Sequence, residues 1–205
     1  MLTFYFAPNT CAFATHIALE EAGADYVAKR VDFAKAEQRS PAYLAINPKG
    51  RVPALATPEG VITETPALLV YIAQNHRQAE LAPLDDPFAF AELQAFASYL
   101  ASTVHVAHAH RPRGSRWADE PASLDDMKRK TPGNMRACFE LIQHQLFRGP
   151  WAMGERYSVI DPYLFTLAGW LEGDGVDIAE FPVIADHHRR MAERASVKRA
   201  LAGEA

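Results

Sequence analysis

Residues 47–66 read Asn47-Pro48-Lys49-Gly50-Arg51-Val52-Pro53-Ala54-Leu55-Ala56-Thr57-Pro58-Glu59-Gly60-Val61-Ile62-Thr63-Glu64-Thr65-Pro66. Asn47-Pro48 ends whatever helix precedes it, and Val52–Thr57 and Val61–Thr63 are strand-length runs on either side of the tight turn Pro58-Glu59-Gly60. The two runs therefore form an antiparallel hairpin. Thr65-Pro66 follows as an N-cap and a proline in the first helical turn, and Leu68, Leu69 and Ile72 give an apolar face to a helix reaching about Asn75.

On the N-terminal side, Leu2–Phe6 has the look of a short buried strand and Pro8-Asn9-Thr10 that of a loop. A helix is expected from about Cys11 to Ala22, because Phe13 and Ile17, and Ala14 and Ala18, fall four apart and Gly23 supplies a stop. Tyr26–Val31 is β-rich, and Ser40-Pro41 opens a short helix to Ile46. The order β-α-β-α-β-β-α predicts one mixed sheet: the first two strands parallel through a right-handed crossover, the hairpin an antiparallel edge. Leu81–Pro87, with two prolines and two acids and no period, is a linker. Beyond it Leu93, Phe96, Leu100 and Val104 step by three and four, and Ser123-Leu124-Asp125-Asp126 and Ser158-Val159-Ile160-Asp161 are capping-box starts. Thr131-Pro132-Gly133 should kink or break the helix expected over about 124–146, and Arg111–Trp117 should be a basic loop. The chain thus divides into an α/β half at 1–79, a linker at 80–87 and an all-helical half at 88–205.

The whole chain has 205 residues, of which 49% are hydrophobic and 22% charged, ordinary globular usage that excludes disordered and collagenous classes. A chain of this size buries about 70% of its unfolded surface and needs no staple. Twenty-one basic against 25 acidic residues give −4, which argues against a nucleic-acid partner. Met1–Phe6 lacks a basic n-region and is followed by Pro8, so it is not a signal peptide, and no apolar run is long enough to span a membrane. Two cysteines without ligand spacing fit a reducing, cytoplasmic setting.

Cys11 lies between a strand and the first turn of a helix, where unpaired N–H groups and the helix dipole favour a thiolate. A small buried residue explains it equally well. Cys138, in mid-helix, is a packing residue. At Val52-Pro53 a trans proline opening an edge strand is the simpler reading, although a cis bond would free the valine backbone for a peptide-like ligand. Glu64-Thr65 opens a helix directly after a strand, where N–H groups and a hydroxyl hold a carboxylate and the acid takes an ammonium. Capping and a solvated acid also account for the pair. His105 and His108 share a helix face, but His110 does not and no carboxylate joins them, so no metal is expected.

Together these stretches resemble the glutathione transferase superfamily. Asn47–Leu55 has its NPxGxVPxL form, Thr63-Glu64-Thr65 its acidic-then-hydroxyl element, and Ser158–Phe165 the capping motif of its helical half. Pro8-Asn9-Thr10-Cys11 with Thr15–Gly23 looks most like the bacterial beta class, which has a cysteine where other classes have tyrosine or serine. The resemblance implies a thioredoxin-like glutathione-binding half, a helical substrate-binding half and a cytoplasmic homodimer. It implies conjugation of glutathione, as co-substrate, to small apolar electrophiles in detoxification, with glutathione-dependent thiol-disulfide exchange through Cys11. By the same resemblance Val52, beside a cis Pro53, would hold the cysteinyl part of glutathione. Glu64 and Thr65 would hold the γ-glutamyl end, with Lys35 a candidate for the glycyl carboxylate. Cys11 and His105 would be catalytic. After His105 the chain reads Val106-Ala107-His108-Ala109-His110-Arg111, where the class usually has a basic and then aromatic residues. That departure motivates the alternative, a non-catalytic binding or regulatory protein on the same fold.

Overall fold

The computed structural model describes residues 1–204, arranged as two compact units. The first comprises Met1–Phe90 together with the residues from Met191 onward, and the second Ala91–Arg190.

In the first unit, β1 (Leu2–Phe6), α1 (Ala12–Ala22), β2 (Tyr26–Arg30), α2 (Pro41–Leu44), β3 (Ala54–Thr57), β4 (Gly60–Thr63) and α3 (Thr65–Asn75) follow the expected order. The sheet runs β2-β1-β3-β4, with β1 and β2 parallel and the other pairs antiparallel. Alternation along β1 decides which helix covers which face. Phe4 and Phe6 are buried and meet His16 of α1 at ring-centroid distances of 5.3 and 5.5 Å. Tyr5, pointing the other way, meets Tyr43 of α2 edge-on at 5.9 Å. Leu55, Leu68, Leu69 and Ile72 complete the core beneath α1 and α3. Ser40 caps α2 as expected, accepting from the Tyr43 N–H at 3.2 Å. Gly23, at φ +61°, ends α1 in the left-handed conformation that its lack of a Cβ permits.

The first unit also takes in the last described helix. The last helix, α9 (Ala195–Glu204), and the residue preceding it return to α1. Arg194 donates two hydrogen bonds to Glu21, at 2.5 and 2.8 Å, and the Ser196 hydroxyl bonds the same carboxylate. Arg199 reaches Glu20 at 2.6 Å. Arg194→Ala is expected to lower stability by about 1–3 kcal/mol, measured by urea unfolding, because the guanidinium and Glu21 are mostly shielded and hydrogen-bonded.

The second unit holds the helical part: most of α4 (Pro87–Tyr99), α5 (His105–Arg113), α6 (Pro121–Leu141), α7 (Ile160–Ala168) and most of α8 (Pro182–Glu193). Leu93, Phe96, Leu100 and Val104 are buried, as their spacing requires. Every residue of α7 is buried, so this helix is the unit's centre. Three expectations fail. Helix α6 is continuous through Pro132, because the carbonyl that proline cannot serve belongs to exposed Lys128, where water can reach it. The same helix starts at Pro121 rather than at Ser123, with extended Glu120 before it, whose carbonyl accepts from the Ser123 and Leu124 N–H groups at 3.0 and 3.1 Å. The basic stretch from Arg111 is likewise helical to Arg113 and continues as a short turn over Gly114–Arg116. No helix among the described residues is long and apolar enough to cross a membrane.

Candidate functional site

The sheet register gathers most of the sequence candidates of the first unit at one end. Ala54 pairs with Tyr5 on one side and Thr63 on the other, so the end of β1, the start of β3 and the end of β4 lie side by side. Pro53 precedes Ala54, Glu64 and Thr65 follow Thr63, and the chain from Phe6 leads on to Cys11.

The Val52-Pro53 bond is cis, which overturns the trans reading preferred on the residues alone. Tyr43 Oη and Asn47 Nδ2 each donate at 2.7 Å to the Arg51 carbonyl, fixing the chain just before Val52. Burial pushes the Tyr43 phenol up to about 12, so it stays a donor across the working range. The Val52 carbonyl in turn accepts from the Cys11 thiol at 3.7 Å.

Cys11 is the residue before α1, but the donors of that helix end are engaged. Thr10 Oγ1 accepts from the Ala12 N–H at 3.3 Å, the Thr10 carbonyl from Phe13 at 3.1 Å, and the Cys11 carbonyl from Ala14 at 3.3 Å. The helix dipole remains; the expectation of unpaired N–H groups does not hold.

The start of α3 differs. Glu64 precedes it at φ +76°, a conformation costing a non-glycine residue about 1–3 kcal/mol, and no side chain caps the helix. The Glu64 carboxylate pairs instead with Lys49, 2.5 Å away, which also donates to Thr63 Oγ1 at 2.6 Å. Thr65 is buried in the first turn, 4% exposed. Lys35 is not part of this group. It lies in the loop after β2, its side chain 84% exposed and its ammonium paired with Asp32 at 3.2 Å, because Asp32 Oδ1 holds the Lys35 and Ala34 N–H groups in a tight turn.

In the second unit His105 opens α5, directly after a π-helical turn over Leu100–Val104. Arg113 donates to its Nε2 at 3.1 Å. A guanidinium only donates, so that nitrogen is an acceptor and the neutral ring carries its proton on Nδ1. Trp170 stands edge-on to His105 at 5.1 Å and stacks on His108 at 4.2 Å, and His108 Nδ1 is 2.8 Å from Asp174 Oδ2. No three or more His, Cys, Asp or Glu side chains among the described residues are grouped to hold a metal ion.

The glutathione S-transferase N-terminal domain profile matches residues 1–74. A glutathione transferase homolog from Sulfitobacter, solved with bound glutathione, is 50% identical, covers 99% of this chain and 98% of its own, and superposes with a TM-score of 0.96. The chain belongs to the glutathione S-transferase family. A bacterial beta class transferase from Sphingomonas chungbukensis is 32% identical over 98% of each chain with a TM-score of 0.87. Glutathione S-transferase GstA of Escherichia coli O157:H7 is 28% identical over 99% of this chain and 98% of that protein. Within this transferase, sequence reasoning missed Lys49 as the partner of Glu64, and Trp170, Asp174 and Arg113 as neighbours of the histidines. Lys49 stood inside the quoted motif without a signature of its own. The others are distant in sequence or, like Arg113, lie in a Pro/Gly-containing basic stretch that reads as a loop.

Proposed function

We propose that the first unit binds glutathione as co-substrate and that the enzyme conjugates it to small apolar electrophiles, with glutathione-dependent thiol-disulfide exchange through Cys11 as a second activity. The observation that carries this reading is the contact of the Cys11 thiol with the Val52 carbonyl at a cis proline, at the sheet end that also bears Glu64 and Thr65. In it, the Val52 backbone pairs with the cysteinyl residue of the tripeptide like a short added strand. Thr65 and the uncapped start of α3 receive the γ-glutamyl carboxylate, and Glu64 the ammonium, in exchange for part of its bond to Lys49. Conjugation then needs a thiolate held in line with the electrophile, so orientation and charge stabilisation supply most of the rate. His105, a neutral ring with Nε2 engaged by Arg113 and its proton on Nδ1, has the role of steadying the glutathione thiolate by donating that N–H. Lys35, whose pair with Asp32 is exposed and readily exchanged, is the candidate for the glycyl carboxylate.

The relatives' names support the transferase class, and the solved complex with glutathione supports the ligand. The reading includes a homodimer, which Phe88, 75% exposed at the start of α4, favours as an apolar contact. It also includes a cytoplasmic location, in keeping with two unbridged cysteines.

Calorimetric titration of glutathione into the reduced protein tests the reading. Saturable binding is expected, weakened about ten-fold by Glu64→Ala through loss of a charge-assisted bond. No binding at millimolar glutathione rejects it. Binding without turnover toward any electrophile or disulfide selects the non-catalytic alternative.

A further inference from the structure

We propose that His108 is a positioning residue for His105, acting through Trp170, with Asp174 as its anchor; the catalytic consequence rests on the thiolate-steadying role given to His105 above. The two histidines are three residues apart on α5 and so share a face. Trp170 meets both: its ring is inclined at 26° to His108 with centroids 4.2 Å apart, and at 61° to His105 with centroids 5.1 Å apart. His105 is thus held by Arg113 at Nε2 and walled by the indole. The indole in turn is backed by the His108 ring.

An imidazole turns easily about its Cβ–Cγ bond, and Asp174 removes that freedom. His108 donates Nδ1–H to Asp174 Oδ2 at 2.8 Å, and the carboxylate is 1% exposed. Asp174 and Trp170 belong to one tight turn after α7, in which the Asp174 N–H bonds the Trp170 and Leu171 carbonyls, both at 3.0 Å. Anchor and indole therefore cannot move independently.

Packing alone does not explain an acid at this place. Asp174 Oδ1 is buried with no hydrogen-bond partner, an arrangement that costs stability and that an apolar residue would avoid. A fixed imidazole is what the carboxylate provides in return. The π-helical turn immediately before His105 adds a second local departure from regular helix, of a kind frequent at functional sites.

His108→Asn isolates the ring, since its amide nitrogen takes the place of Nδ1 and still satisfies Asp174. With chlorodinitrobenzene as electrophile, kcat is expected to fall about ten-fold, the loss that slight misplacement of a reacting group produces, with KM for glutathione unchanged. In a His105→Ala background the same substitution should change nothing, because His108 acts only through His105. Trp170→Leu should repeat the pattern if the first variant folds poorly. Nitrogen-15 NMR of the histidine rings gives a readout independent of turnover. His105 is expected as one Nδ1–H tautomer with indole-shifted ring protons in the parent, and His108→Asn should lose that shift. An unchanged His105 spectrum overturns the proposal, as does an equal fall in kcat with and without His105. If the protein binds no glutathione, the function proposed above fails while the NMR comparison still decides the positioning role.

Discussion

Cys11→Ala is expected to abolish glutathione-dependent disulfide exchange, a fall of at least about 100-fold, while conjugation of an apolar electrophile stays within about five-fold of the parent. The two activities ask different things of the sulfur. In exchange, the Cys11 thiolate attacks a glutathionylated substrate, forms a mixed disulfide with the glutathione sulfur and expels the substrate thiolate, which takes a proton from solvent. A second glutathione thiolate then attacks that mixed disulfide, releasing Cys11 and oxidised glutathione. Alanine has no atom for either step. In conjugation the nucleophile is the sulfur of glutathione, and Cys11 contributes at most a weak S–H donor, which in the structure points to the Val52 carbonyl at 3.7 Å. Losing such a donor costs roughly 1 kcal/mol or less, hence the five-fold bound. Paired assays with chlorodinitrobenzene and with a glutathionylated peptide read both activities. A collapse of conjugation with exchange intact would reverse the assignment.

The first unit was legible because its signals are local. Proline after a cap residue, a turn between two short apolar runs and a glycine after a helix each act within a few positions, and together they gave β1 to α3 in order with the correct strand directions. Cys11, Val52, Glu64 and Thr65 stood out as candidates for the same reason, since each sits where an element begins or ends, but the residues alone favoured a trans bond at Pro53 and only the family resemblance joined the four into one site. What failed was non-local. The return of α9 to α1 depends on Arg194 and Glu21, 173 positions apart, and the His108–Asp174 contact spans 66. No period or spacing encodes such pairs. Pro132 shows a different limit, since whether a proline interrupts a helix depends on whether water can serve the orphaned carbonyl, and that is a property of the folded surface.

The same contrast between local signal and distant partner sets the size of the effect expected at Asp161. Its sequence setting, Ser158-Val159-Ile160-Asp161, announces a capping box, and the structure supplies it: Asp161 Oδ2 accepts from the Ser158 N–H at 2.7 Å and from its hydroxyl at 3.2 Å. Such a cap alone is worth about 1 kcal/mol. Oδ1, however, accepts from the Ala152 N–H at 2.8 Å and from His187 Nε2 at 2.9 Å, and both Asp161 and His187 are fully buried. One carboxylate therefore ties the start of α7, the loop before it and α8. Asp161→Ala leaves several donors unsatisfied in the interior, so the loss is expected near 3–5 kcal/mol rather than 1. For a chain of this length that lowers Tm by roughly 10 °C. Asp161→Asn should fall between the two, because its carbonyl oxygen can serve one pair of donors while its amide group opposes the other. Calorimetric melting of the three proteins makes the comparison, and a loss of only about 1 kcal/mol in Asp161→Ala would mean that the cap accounts for the whole effect and the His187 contact for none. Glutathione binding at a temperature where the variant is folded should be unchanged, since every group involved lies in the second unit while the proposed glutathione contacts, His105 apart, lie in the first.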